Sequence, residues 1–244
     1  AKLYGWVSYQ DREARSAGFF RRPNDARNVP EIYPDGFLPI IAPEVTDYSA
    51  AVGMTWAIGE WEVDSSLVYG RNKMEFTIEN TLNRSLGPAS PTEFDAGGFD
   101  YDQLVLNVSG VRGFDIGMAA PLNVALGIEA RHETYSISAG EEDSFVNGGV
   151  RLSGGGPTAP GAQVFPGFRP ANVVDKSRDA VGAYVDLDTQ VTDRFLASAA
   201  VRAEHYSDFG SNVSGKVAAR YDVTDNFALR SSVQNGFRAP SLQQ

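Results

Sequence analysis

The chain has 244 residues, a formal net charge of −10 and no cysteine, which excludes disulfides and thiolate metal sites and argues against a nucleic-acid binder, for which a clustered basic face is needed. Hydrophobic residues make up 42% and mean hydropathy is −0.25, yet the apolar residues are scattered singly. The longest nearly apolar stretch, Met118 to Ile128, contains Pro121, Asn123 and Gly127 and falls short of the roughly 18–20 residues a helix needs to cross a bilayer. Residues 1–20 carry Asp11, Arg12, Glu13 and Arg15, so they do not read as a signal peptide.

In chain order the dominant signal is alternation of period two, the mark of strands. Leu3 to Gln10 forms a first, less regular strand. Tyr48, Ala50, Val52, Met54 and Trp56 make the apolar set of a second, and Trp61, Val63, Leu67 and Tyr69 that of a third. Leu104, Leu106, Val108, Phe114 and Ile116 alternate with Gln103, Asn107, Ser109 and Asp115, leaving Arg112 as an exception in the apolar register. Leu122, Val124, Leu126 and Ile128 then alternate with Asn123, Gly127 and Glu129. The pattern is clearest near the end, where Val181, Ala183, Val185, Leu187 and Val191 oppose Asp186, Asp188 and Gln190. Phe195, Ala197, Ala199, Val201 and Ala203 follow against Arg202 and Glu204. Val213, Val217, Ala219, Tyr221 and Val223 oppose Lys216, Arg220 and Asp222, and a last strand sets Phe227, Leu229 and Val233 against Arg230, Ser232 and Gln234.

The connections alternate in length. Tight turns fall at Gly59-Glu60, Met118 to Pro121, Thr192-Asp193 and Thr224-Asp225. Long segments fall near residues 14–45, 81–100 and 139–177, and a short hairpin at Ser207 to Asn212 is the exception. Trp56, Trp61, Phe114, Phe195, Tyr221 and Phe227 sit close to the tight turns on the apolar face, as an aromatic girdle at one membrane interface would. The alternative, core aromatics of a soluble β-sandwich, would not need such long strands. The expected fold is all-β: an antiparallel up-and-down transmembrane β-barrel, in which Arg202, Arg220 and Arg230 face a watery bore because charge on the lipid side is costly. Nine strands do not close a single-chain bacterial barrel, where the count is even. The chain is therefore expected to be part of a larger barrel.

Three stretches carry a resemblance. The run from Ala120 through Glu129, Arg131, His132 and Glu133 to Tyr135, and the run from Ala203 through His205 and Asp208 to Gly210 with Lys216 to Tyr221 after it, resemble barrel strands of TonB-dependent receptors. Asn235-Gly236-Phe237-Arg238-Ala239-Pro240-Ser241-Leu242-Gln243-Gln244 looks like the mid-barrel motif of that family, and Phe165-Pro166-Gly167-Phe168-Arg169-Pro170 recurs in one of its branches. The resemblance implies a segment of an outer-membrane barrel of about 22 strands, plugged by a separate domain. It also implies a Gram-negative outer-membrane location and import of a scarce small-molecule or chelate ligand, such as a ferric siderophore, haem, cobalamin or a glycan. The implied partners are outer-membrane lipid, that ligand, and TonB through the plug region; plug, TonB-box and closing strands are expected to lie outside residues 1–244. A non-transporting porin or adhesin is the competing reading, and a soluble all-β binding module a more distant one.

No catalytic constellation or cofactor motif emerges. His132 and His205 fall in the apolar register near strand ends, where a structural role outweighs metal ligation. Asp208-Phe209-Gly210 lies in a hairpin tip without the other kinase signatures, and Gly154-Gly155-Gly156-Pro157 lacks the strand and helix that frame a phosphate loop. The lumen-facing charges Glu129, Arg131, Glu133, Arg202, Glu204, Arg220 and Arg230 are candidates to contact a ligand or plug, against the plainer reading of mutual ion pairing. Phe165, Phe168 and Arg169 are candidates to cap a ligand, against packing of the long loop on itself.

Overall fold

Alternation commits these segments to extended backbone, because only a strand sends successive side chains to opposite faces. The computed structural model describes residues 1–243. It contains nine long strands and one two-residue strand: β1 (Lys2–Glu13), β2 (Ser16–Ala17), β3 (Ile40–Ile58), β4 (Trp61–Glu79), β5 (Phe94–Phe114), β6 (Leu122–Ala139), β7 (Val174–Thr192), β8 (Phe195–Tyr206), β9 (Gly210–Thr224) and β10 (Phe227–Gln234). All belong to one antiparallel sheet in the order β1-β3-β4-β5-β6-β7-β8-β9-β10, with β2 beside β3. Chain neighbours are thus sheet neighbours. Among the described residues β1 pairs only with β3 and β10 only with β9, so each presents one open edge.

Register sorts the faces. Val185 lies opposite Leu126 and Val201, and Val217 opposite Ala199 and Val233. Val185, Val201, Val217 and Leu229 are 43%, 55%, 63% and 58% exposed, so these side chains coat an outer surface. Arg202, Glu204 and Arg220 take the intervening positions and point to the other face. On that face Tyr184 lies directly across from Gly127, where a Cβ would meet its ring at 2.5 Å; the glycine lets the ring lie flat along the wall.

Near the tight turns, the Trp61 and Phe114 rings meet edge to face at 5.9 Å. Arg112, the exception in the apolar register, is placed here. Its guanidinium pairs with Glu60 of the tight turn and lies 4.4 Å over the Phe114 ring, so its stem spans the apolar border while its charge reaches the polar turn. A second girdle that sequence did not single out lies eight residues up β3, where Tyr48 and Tyr69 approach to 5.9 Å. Arg71 donates to the Tyr48 hydroxyl at 3.2 Å and pairs with Asp100. Eight residues from Trp56 to Tyr48 rise about 26 Å along a strand, close to the ~25 Å apolar band of outer-membrane barrels.

The strands run further than alternation indicated. β3 and β4 each hold 19 residues, about twice the ~9–11 that a tilted strand needs to cross a bilayer. Above the second girdle both faces meet polar or loop surroundings, so the hydrophobic pattern fades while the ladder continues. The top of β5 bends at Gly97, whose φ is +79° and whose Cβ would fall 2.3 Å from Ser138 O; a register shift between Glu75 and Thr77 marks the adjoining irregularity in the β4–β5 ladder.

The dry core is built there, beneath the long connections. Ile78, Phe94, Ala96 and Ala162 form one buried cluster and Val29, Phe37 and Leu82 another. Asn83, fully buried, ties the connections together: its Nδ2 donates to Asp143 O and Val146 O, both at 2.9 Å, and its Oδ1 accepts from Ser85 N and Oγ. Thr81 Oγ1 donates to Gln163 O at 3.1 Å and accepts from Gln163 N at 3.0 Å. In the first long connection Arg27 hydrogen-bonds Asp25 and holds its carboxyl down to about 2, so this clamp is complete above the ordinary Asp value near ~4.

Two outcomes test this architecture. Val185→Arg is expected to destabilise the protein by ~2–4 kcal/mol in detergent or bilayer unfolding while Asp186→Ala, one residue away, has little effect; equal effects would contradict the register. Asn83→Ala removes the donor to Asp143 O and Val146 O and leaves the buried Ser85 N–H without its acceptor, at ~1–3 kcal/mol for that group. Limited proteolysis of residues 80–93 and 140–173 is therefore expected to accelerate while the strands stay resistant.

Candidate functional site

The charged face of β5–β9 and the segment after β10 enclose a cavity of about 760 Å³, lined by Tyr101, Arg131, Glu133, Tyr135, Arg178, Arg202, Glu204 and Tyr206 among others. Parity places them. Arg131, Glu133 and Tyr135 are successive inward positions of β6, as Arg202, Glu204 and Tyr206 are of β8.

The charges form one alternating chain. Asp208 meets Arg178 at 2.9 Å, Arg178 meets Glu133 at 3.7 Å, and Glu133 meets Arg131 at 4.0 Å. Arg131 then meets Glu129 at 2.9 Å, Glu129 meets Arg202 at 3.3 Å, and Arg202 meets Glu204 at 2.9 Å. Every guanidinium in the run lies between two carboxylates, so the wall carries many charges but little net field. Partial burial strengthens each contact, and removing a single member would leave its neighbours uncompensated. Tyr101 adds a donor, its hydroxyl reaching Glu133 Oε1 at 2.5 Å. Tyr135, 6% exposed, is different: its buried hydroxyl has no hydrogen-bond partner. The chemistry on offer is hydrogen bonding by carboxylates, guanidiniums and phenols along an aromatic-edged wall. Among the described residues no group of three His, Asp or Glu side chains is arranged to hold a metal ion.

The candidate residues from sequence fall in three places. Arg131, Glu133, Arg202 and Glu204 come together in the cavity. Phe165 and Phe168 pack on each other at 5.5 Å and on Phe76 at 5.2 and 6.4 Å; Phe76 also touches Phe99 at 5.6 Å, a cavity-lining ring. Arg169 is exposed and precedes the short 3-10 turn Pro170–Asn172. Arg220 pairs with Asp222 at 2.8 Å and lies across from Arg230 near the tight-turn end, apart from the cavity. His132 meets Asp179 at 2.7 Å and His205 meets Ser211 at 2.9 Å, both on the outer face.

Sequence reasoning missed Arg178, Tyr101, Tyr135 and Tyr206 as site residues. The signal was present. Arg178 shares parity with Asp186 and Asp188, and Tyr135 with Arg131 and Glu133, but the apolar–polar contrast is sharp only across the apolar stretch of each strand.

Set beside known proteins, the sequence matches the family described as TonB dependent receptor-like, beta-barrel, over residues 1–244. No curated protein matches it. Among solved structures it resembles the crystal structure of the siderophore receptor PirA from Acinetobacter baumannii, with a TM-score of 0.54 and 17% sequence identity over 97% of this chain and 34% of that one. The likeness is one of fold, and this chain spans about a third of that receptor's length. With the family matched along the whole chain, the chain belongs to the β-barrel of the TonB-dependent receptors.

Proposed function

We propose that this chain is a wall segment of an outer-membrane importer that takes up a scarce small-molecule or chelate ligand, a ferric siderophore, haem, cobalamin or glycan, in a step energised by TonB through a plug region. The observation that carries this reading is the cavity on the charged face. It lies toward the loop end of the strands, beside Phe99 and the aromatic cluster under the packed connections, where a ligand arriving from outside would first meet the bore. The apolar outer face supports residence in lipid, as the family does. The open edges of β1 and β10 support pairing with further strands, because unpaired backbone groups in hydrocarbon cost several kcal/mol each.

Deleting the gene is expected to abolish uptake of one ligand in growth tests on iron chelates, haem, cobalamin and glycans, and loss of TonB is expected to abolish it equally. Uptake that survives without TonB would instead mark a passive pore. Glu133→Gln, which cuts the alternating chain at the residue shared by Arg178, Arg131 and Tyr101, is expected to weaken ligand binding to the full receptor about tenfold, the equivalent of ~1.4 kcal/mol. Unchanged affinity would place the binding surface elsewhere.

A further inference from the structure

The end of β10 is built to leave the sheet. Asn235 N–H donates to Gly215 O at 3.1 Å as one more ladder rung. Its side chain then accepts from Gly215 N at 2.7 Å and donates to Val213 O at 3.2 Å. The carboxamide thereby supplies β9 with the acceptor and donor that continued backbone pairing would have offered. The chain departs at Gly236 with Gly215 N–H, Gly215 O and Val213 O of the β9 edge still paired, and a Cβ at Gly236 would meet nothing within 4 Å.

Side chains seat the segment beyond Gly236. Phe237 joins the stacked Tyr206–Phe209 pair, with ring centroids 6.2 and 5.6 Å away. Arg178, 4% exposed, commits its three nitrogens to three elements: Nε to Asp208, Nη1 to Glu133, and Nη2 as donor to Pro240 O at 2.8 Å. Its guanidinium also lies 5.4 Å over the Phe209 ring. Among the described residues, the bond to Pro240 O is the one side-chain hydrogen bond holding this segment to the wall.

We propose that residues 236–243 form an inward strap, latched by Arg178, that serves as a movable wall of the cavity. The hierarchy of contacts sets what moves. Asp208 and Glu133 carry a full negative charge that attracts the guanidinium, whereas the carbonyl of Pro240 is neutral and contributes only a dipole. Displacing the strap therefore breaks the Pro240 bond and the Phe237 contact, while the ion pairs and the β9 ladder stay whole. Its value as a gate rests on the import reading, whereas the strap itself does not.

Residues 1–244 contain no cysteine, so two labels can be placed in this segment once any cysteine elsewhere in the full gene product is replaced by serine. Nitroxides on Ser241→Cys in the strap and Ser198→Cys on the inward face of β8 are placed in the full gene product in outer membranes, and their separation is read by pulsed electron resonance. One narrow distance is expected in the parent, with loss of that peak in Arg178→Gln and partial retention in Arg178→Lys. Phe237→Ala, which leaves the wall untouched, is also expected to broaden it should Arg178→Gln fail to insert. A broad distribution in the parent, or the same narrow peak in every variant that inserts, overturns the latch, and neither result depends on ligand uptake.

Discussion

An amide in hydrocarbon has no water to turn to, so each strand that crosses must hand its N–H and C=O groups to a neighbour. The rest of this structure depends on that one demand. It fixes a continuous antiparallel sheet from β1 to β10 whose register shifts fall near strand ends, and between those shifts pairing fixes parity, since a slip of one residue would turn every side chain to the wrong face. It also governs where the chain departs the sheet. At Asn235, just past the end of β10, a side chain takes over the backbone's part for Gly215 N–H and Val213 O.

Parity divides the apolar residues between two destinations. Val185, Val201, Val217 and Leu229 face outward, so they cannot form the interior that a soluble sheet would pack against a second layer. The buried apolar residues gather instead at the loop end, where Ile78 and Phe94 at the strand extremities meet Ala162 from a connection and Leu82, Phe37 and Val29 form a second cluster. Two stabilising regimes therefore coexist in one chain. The ladder and the lipid hold the strands, whereas side-chain burial and the satisfied polar group of Asn83 hold the loops, so a change in one region need not propagate into the other.

That division explains what the sequence disclosed. Where one face meets lipid and the other water, hydrophobicity alternates sharply, and the strands around Val181 to Val191 and Phe195 to Glu204 were legible residue by residue. Above the Tyr48–Tyr69 girdle the contrast vanishes, so the loop-side ends of β3 and β5 read as parts of long connections although their pairing continues. The packed connections have no period at all: nothing in the local sequence marks Asn83 as buried, because its partners, Asp143 and Val146, lie about sixty residues away. The site was half legible for the same reason. Parity put Arg131, Glu133, Arg202 and Glu204 on one face, but only register across strands shows that they interleave, and Arg178 enters from a part of β7 beyond the apolar stretch.

The interleaving bears on how such a wall can serve a ligand. Isolated arginines on a bore would hold an anion tightly and release it slowly, and isolated carboxylates would do the same to a cation. In the run from Asp208 to Glu204 each cation is already matched on both sides, so a passing molecule finds donors and acceptors closely spaced without a deep electrostatic well. The same matching makes the wall stiff, since each guanidinium is fixed by two neighbours. Within this surface the strap is the softer part, because Arg178 alone divides its contacts between the charged chain and a neutral carbonyl. Arg178 is therefore the residue through which a rigid wall is joined to the segment most able to move.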